Sequence, residues 1–553
     1  MPFPILRVAS RVAAVAFLLV AVAAVTQSIH PAPAKNPPGN DACARCHAEI
    51  NSSYQKTVMA NASGTAADGL ITGQFDDKDS GVRYRVYQQD GRVWMSYERG
   101  GRDAIRGQRE LLYFIGSGKK GRTYLFSDDQ FLFETPINWY SQERRWNMTP
   151  AYTEAQEIPM NLPAYPSCLN CHTSGMQPPE PGSDCKFTGK PFLHAGITCE
   201  RCHGAGEEHE NGKGMIVNPA KLPAERRDAI CMECHFEGTV AVEEPGKRLY
   251  DFQPGERLSD YMHYFVMTET QKQKPQALSQ FQALSQSQCK RQSGEKMWCG
   301  SCHDSHSEPA PAEKAAYYRG KCLACHGDVF AARHHADKPD CRPCHMPALP
   351  SKDVAHTEAT DHRILRFPNA APLPQLQVRG KPLVSFPAGD DSLATTRDFA
   401  LAWETLAERG FVGAPQRAEN YLRQAVKEAP DDAVLLAALG FVEQEHGHAS
   451  EARDLYERAL KIDPSSNDAA TNLGILQARA GNLRSAVELW NPAFARVPNR
   501  SAIGMDLAIT FCVAGKKDIA RKYVERVLEF NPDYPKGKSL LENLGKEPAQ
   551  CRP

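Results

Sequence analysis

The chain of 553 residues has almost no net charge and no long apolar run beyond Val25. Its 65 basic and 66 acidic side chains leave a balance of −1. No basic excess is available for a polyanion, so nucleic acid is not an expected partner. With mean hydropathy −0.50 and no second apolar stretch, the body reads as soluble. Between about residues 161 and 366 the chain also has little regular helical spacing, so a conventional apolar core is not expected there. Cysteine, by contrast, is plentiful at 18 residues.

Fourteen of these cysteines fall in seven copies of Cys-x-x-Cys-His, at Cys43–His47, Cys168–His172, Cys199–His203, Cys231–His235, Cys299–His303, Cys322–His326 and Cys341–His345. This is the attachment signal for c-type haem. Cys43, Cys46, Cys168, Cys171, Cys199, Cys202, Cys231, Cys234, Cys299, Cys302, Cys322, Cys325, Cys341 and Cys344 are therefore the candidate thioether residues. His47, His172, His203, His235, His303, His326 and His345 are the candidate proximal iron ligands. Paired zinc motifs need no histidine after every second cysteine, and the invariant spacing does not suit structural disulfides. The expected cofactors are seven covalently attached haems with their iron. Cys185, Cys289, Cys512 and Cys551 remain. A Cys185–Cys289 disulfide and buried free thiols are equal alternatives for them.

The first 34 residues look like an export signal or N-terminal anchor. Arg7 and Arg11 are followed by an apolar run from Val12 to Val25 and by small residues suited to cleavage. The run is short for a spanning helix. A periplasmic location, or another site outside the cytoplasmic membrane, is expected, with membrane association if the N-terminus stays uncleaved.

The first motif lies in residues 35–62. Residues 63–160 read as an antiparallel β insert. Val82, Tyr84 and Val86 alternate with arginines, Asp90-Gly91 signals a hairpin, and Val93, Met95 and Tyr97 resume the alternation. Leu111–Ile115, Thr123–Phe126 and Phe131–Phe133 suggest further strands. Gly116–Thr123 nearly matches a phosphate loop, but Arg122 stands at the lysine position and strands follow, so a hairpin turn is expected. Residues 161–366 carry six motifs with the porphyrins as their expected core. A Pro-rich linker, 367–395, precedes the C-terminal region.

That region, 396–545, repeats every 34 residues. Pro430, Pro464, Pro498 and Pro532 keep the period, as do Ala418, Ala452, Ala486 and Ala520. Leu439-Gly440 and Leu473-Gly474 sit where paired helices need close approach. The pattern resembles tetratricopeptide repeats, which implies a helical solenoid that binds a protein or peptide. Residues 536–544 suit a closing helix, and 546–553 a tail. The fold class expected overall is mainly α: a haem-cored cytochrome with a small antiparallel β insert, then a repeat solenoid.

Each iron has a second axial position. Outside the motifs the haem region offers His194, His209, His263, His306, His334, His335, His356 and His362. About five to seven are expected to ligate iron, because neutral imidazole is a common metal ligand. His306 is too close to His303 to reach the far face of the same haem, so a neighbouring haem is expected for it. Ala42-Cys-Ala-Arg-Cys-His-Ala-Glu-Ile-Asn-Ser-Ser-Tyr54, Cys199–His209, Cys299–His306 and the run from His356 to Ile364 resemble the cytochrome c554 group of multihaem proteins and relatives fused to tetratricopeptide repeats. The resemblance implies bis-histidine haems in close pairs and a role in moving electrons between a donor and an acceptor protein. Where the group often has Ser/Thr-x-His-Ala, this chain has Thr57-Val58-Met59-Ala60. Met59 is thus a candidate thioether ligand, with packing and an open iron as its alternatives. Two rival functions are carried forward. One is a multihaem oxidoreductase acting on a small nitrogen or sulfur compound at an open haem. The other is a repeat-based assembly scaffold. No catalytic residue is identifiable.

Overall fold

Strand-forming segments dominate the first third of the body. The computed structural model describes residues 39–101, 104–152, 158–268, 279–333, 338–348, 360–367, 381–387, 394–546 and 550–552. The expected N-terminal signal or anchor, His334, His335, His356 and most of the Pro-rich linker lie outside these residues. Strands β1 (Ser63–Thr65), β2 (Gly73–Asp76), β3 (Arg83–Gln89), β4 (Arg92–Arg99), β5 (Ile105–Ile115), β6 (Gly121–Asp128), β7 (Phe131–Tyr140) and β8 (Arg145–Met148) form one eight-stranded antiparallel sheet. Its order is β2-β3-β4-β5-β6-β7-β8, with β1 pairing β5. Asp90 and Gly91 both take positive φ, which suits the tight turn between β3 and β4. Register shifts at Leu111/Tyr113 and Thr123/Leu125 bend the central strands. The sheet curls until Gly73 of β2 lies against Trp146 of β8, so it nearly closes.

This sheet corrects the expected fold class. The protein is 46% helix and 17% strand, and the β unit is not a small insert in a mainly α chain. The reason is physical. From Phe131 to Asn138 every residue of β7 is buried, and β6 is buried from Gly121 to Phe126. Ile158, Met160, Phe187, Phe192 and Phe530 join the same apolar cluster. Strands covered on both faces lose the alternation that makes them visible. The Gly116–Thr123 segment joins β5 to β6. Arg122 is buried over the Phe114 ring at 3.7 Å and donates to the carbonyls of Asp68 (3.0 Å) and Gly69 (2.7 Å).

Further along, β9 (Thr173–Met176) pairs β10 (Phe192–Ala195). Then β11 (Val240–Glu243), β12 (Met262–Met267) and β13 (Leu383–Phe386) form a three-stranded sheet. The end of the expected linker is therefore a strand, paired to β12. The second, third, fourth and seventh motifs lie in short helices of four to twelve residues. The fifth opens as a three-residue 3-10 turn, Cys299–Ser301, and the sixth lies in the Lys314–Arg333 helix, which kinks at Gly327.

The C-terminal helices run Thr396–Glu408, Ala414–Glu428, Ala433–Glu445, Ala449–Ile462, Asn467–Arg479, Leu483–Arg496, Ser501–Val513, Lys517–Phe530 and Pro535–Leu544. A Cβ on Gly440 would lie 2.7 Å from the Tyr456 ring, and one on Gly474 2.2 Å from Trp490. Each glycine lets the paired helices of its repeat approach. The turns between repeats pack on the body. Asn467 donates to the Gly182 carbonyl (2.5 Å) and Asn499 to that of Asn161 (3.3 Å). Phe530 lies 5.3 Å from Phe133 and 6.2 Å from Phe131. Arg99 grips Asp533 through two hydrogen bonds of 2.6 and 2.7 Å. Cys512 and Cys551 form a disulfide, while Cys185 is a buried free thiol and Cys289 is also free. No helix among the described residues is long and apolar enough to cross a membrane.

Candidate functional site

Three motif histidines face histidines from distant segments. His47 lies opposite His209 with ring centroids 6.4 Å apart and planes 12° from parallel. His203 faces His306 at 5.9 Å and 13°, and His303 faces His362 at 6.2 Å and 23°. These spacings are too wide for direct stacking of imidazoles. Two imidazoles bonded to one metal at about 2.0 Å each, along one line, place their centroids roughly 6 Å apart. The donor set thus fits iron held between two histidines.

The ring orientations agree with that chemistry. His203 Nδ1 lies 2.8 Å from the Val217 carbonyl, His345 Nδ1 2.6 Å from that of Leu365, and His362 Nδ1 3.0 Å from that of Thr360. A carbonyl can only accept, so Nδ1 carries the hydrogen and Nε2 keeps its lone pair for a metal. His303 Nδ1 lies 3.4 Å from the Tyr318 hydroxyl.

Local contacts bring the paired segments together. Arg45, inside the first motif, pairs with Glu210, the neighbour of His209. Tyr54 donates to the Ile197 carbonyl (2.6 Å), and Ile197 N donates to that of Met59 (3.0 Å). This joins the segment after the first motif to the segment before the third. Glu308, just beyond His306, accepts from Val58 N (2.8 Å) and pairs with Lys119 (3.0 Å). Buried Asp361 holds Arg363, and its backbone N–H donates to the Pro347 carbonyl (2.9 Å), which positions His362.

The remaining motifs are knitted in through thiols and motif interiors. Cys43 approaches Cys199, Cys171 approaches Cys234, Cys231 approaches Cys299, and Cys322 approaches Cys341. Burial pushes the Cys202 thiol up to about 12. Burial likewise takes Cys168 to about 12, with the nearby Glu134 carboxylate adding to it. Glu134 sits on β7 and accepts from Cys168 Sγ (3.5 Å); its own carboxyl is pushed up by burial to about 7. Ala164 N donates to Leu132 O and Glu134 N to Leu162 O, so β7 carries the lead-in to the second motif.

One feature of the motif interiors escapes a reading of the spacing alone. The residue before the second cysteine is Asn170 in the second motif, Arg201 in the third and Glu233 in the fourth. Arg201 pairs with Glu233, whose side chain is 2% exposed. Arg201 also donates to Asn170 O (3.1 Å) and Oδ1 (3.2 Å), and Asn170 Nδ2 donates to Glu233 (3.2 Å). Burial raises the Glu233 carboxyl, and the Arg201 charge opposes that. Complementary polar residues at one motif position were the available signal.

Other candidates lie elsewhere. His263 is buried on β12 with Nε2 bonded to Glu244. The ring of His194, on β10, packs against Gly39. Met59 is half-buried, and the ring across from His47 is that of His209.

Comparison with known proteins supplies two family matches. Residues 138–204 match the family of cytochrome c554 and c-prime, and residues 412–474 match the tetratricopeptide repeat. No curated protein matches the chain. Among solved structures, a tetratricopeptide repeat protein from Parabacteroides merdae is 19% identical, covering 27% of this chain and 59% of that one, with TM-score 0.24. The Pseudomonas aeruginosa pilF protein is 24% identical over 27% and 68%, with TM-score 0.24. MamA from Desulfovibrio magneticus is 16% identical over 25% and 78%, with TM-score 0.22. The chain joins a cytochrome c554 and c-prime domain to C-terminal tetratricopeptide repeats.

Proposed function

We propose that this is an exported seven-haem c-type cytochrome that carries electrons between redox proteins, with its repeat array serving protein docking. The observation that carries the reading is the three imidazole pairs at the spacing of a shared metal. When bound, haem c supplies a one-electron ferric/ferrous couple. The chain's residues hold that couple in place. His47 with His209, His203 with His306, and His303 with His362 would each hold one haem iron. The cysteine approaches bring the first motif beside the third, the second beside the fourth, the fourth beside the fifth and the sixth beside the seventh. The Asn170–Arg201–Glu233 cluster links the second, third and fourth. Met59 is packing in this reading.

Export is supported by the basic and apolar N-terminus and by the Cys512–Cys551 disulfide, a bond favoured in oxidising compartments. The repeats meet their own body through the inter-repeat turns. Val434 (52% exposed) and Phe441 (47%), seven residues apart on one helix, keep apolar surface for a partner. A reductive titration of the purified protein tests the function. Seven electrons per chain, with spectra unchanged by nitrite, hydroxylamine or sulfite, are expected. Fewer than seven, or a high-spin signal that shifts with one of these compounds, contradicts the carrier reading.

A further inference from the structure

Between the body and the first repeat lies a polar cluster that the haem motifs do not use. Glu244 follows β11, His263 sits on β12, and Asp398 lies in the first turn of the Thr396–Glu408 helix. One ligand atom from each converges, all within 4.8 Å of one another. Two of the three side chains are buried: His263 is 7% exposed and Asp398 1%, while Glu244, at 29%, opens to the surface. Asp398 Oδ2 accepts from Thr395 N and Oγ1, both at 2.8 Å. Asp398 Oδ1 is buried with no hydrogen-bond partner, and Arg397 Nη1 is 3.6 Å away.

A buried carboxylate oxygen without a hydrogen bond is costly unless a cation meets it. Arg397 is the guanidinium beside the cluster, and it is already engaged. It bonds Asp432 through Nε (2.6 Å) and the Glu243 carbonyl through Nη1 (3.1 Å). Among the described residues Arg397 is the one arginine paired with Asp398 and Asp432, and Glu244 pairs with His263, so the three carboxylates outnumber the Arg charge by two if His263 is neutral. One divalent cation restores balance. One imidazole with two carboxylates suits zinc or manganese better than calcium or magnesium, which favour all-oxygen sets.

We propose that Glu244, His263 and Asp398 bind one zinc or manganese ion that staples the first repeat to the haem-bearing body. Glu244 and His263 come from the three-stranded sheet and Asp398 from the repeat array. The ion therefore bridges two parts of the chain separated by the Pro-rich linker, and its loss loosens the array.

The test uses the full chain with its haems, in a background carrying His446→Ala. That change removes a second convergence, Glu443, His446 and His448 on the surface of the array. Chelator-treated protein is titrated separately with Zn²⁺ and Mn²⁺, and melting is followed by far-ultraviolet circular dichroism. One ion per chain and a higher melting temperature of the helical array are expected. His263→Gln should weaken binding about 100-fold, comparable to the larger losses seen on perturbing metal sites, and leave the count of low-spin haems unchanged. Glu244→Gln provides the same test if His263→Gln fails to fold. Binding no tighter than in these variants overturns the proposal. So does the loss of one low-spin haem in His263→Gln, which would assign His263 to an iron.

Discussion

Removing Arg201 should be among the most damaging single changes in the body. Its guanidinium is the cation paired with Glu233, whose side chain is 2% exposed, and it also bonds the second motif at Asn170. Arg201→Met keeps a long apolar stem but leaves a carboxylate buried without its counter-charge. Breaking a buried pair from one side typically costs about 3–5 kcal/mol, whereas replacing both partners with apolar residues is often close to neutral. Arg201→Met alone should therefore cost about 3–5 kcal/mol, and adding Glu233→Met should recover most of it. Urea unfolding followed in the haem absorbance band measures both, with mass spectrometry confirming that each variant carries its haems. A single-variant loss below about 1 kcal/mol, the range of exposed pairs, would refute the claim that this cluster joins three motifs. So would a double variant worse than either single one.

Phe530→Ala should detach the last repeat from the sheet at a cost of about 3–5 kcal/mol, since Phe530 is 1% exposed against Phe131 and Phe133; faster proteolysis of the terminal helices would show it. Glu404, in the first repeat helix, has its carboxyl pushed up to about 7 by burial, with Glu408 and Asp468 adding to the rise from 4.5. The folded chain then binds more protons than the unfolded one between these values, so stability falls as pH climbs from 4.5 to about 7. Glu404→Gln should raise the melting temperature at pH 8 relative to the parent and show no gain below pH 4.5; a gain independent of pH would contradict this. Cys512→Ser, which opens a bridge spanning a separation of 39 residues, should lower stability of the array by about 2–4 kcal/mol, and unchanged melting under oxidising conditions would count against it.

Several features were legible in the sequence because they are local. Cys-x-x-Cys-His is a covalent requirement confined to five residues, and the 34-residue period reflects helices that pack on their neighbours. The β3–β4 hairpin showed through because one face of each strand is exposed, which preserves the alternation around Asp90-Gly91. β7 did not show its length, since both of its faces are covered. The histidine pairings were hidden for a different reason. His47 and His209, or His303 and His362, have no periodic relation, and only the folded path brings them together. Asn170, Arg201 and Glu233 looked like spacers within their motifs until the motifs were placed side by side. The pairing of Cys512 with Cys551 likewise depended on the closing helix turning the tail back onto the last repeat.

Whether single irons sit between the paired imidazoles is tested most directly by low-temperature electron paramagnetic resonance of the oxidised protein and its His209→Ala, His306→Ala and His362→Ala variants. The account predicts at least three bis-imidazole low-spin irons, with one such signal lost in each variant and the other two retained. Variants whose spectra match that of the parent would contradict it.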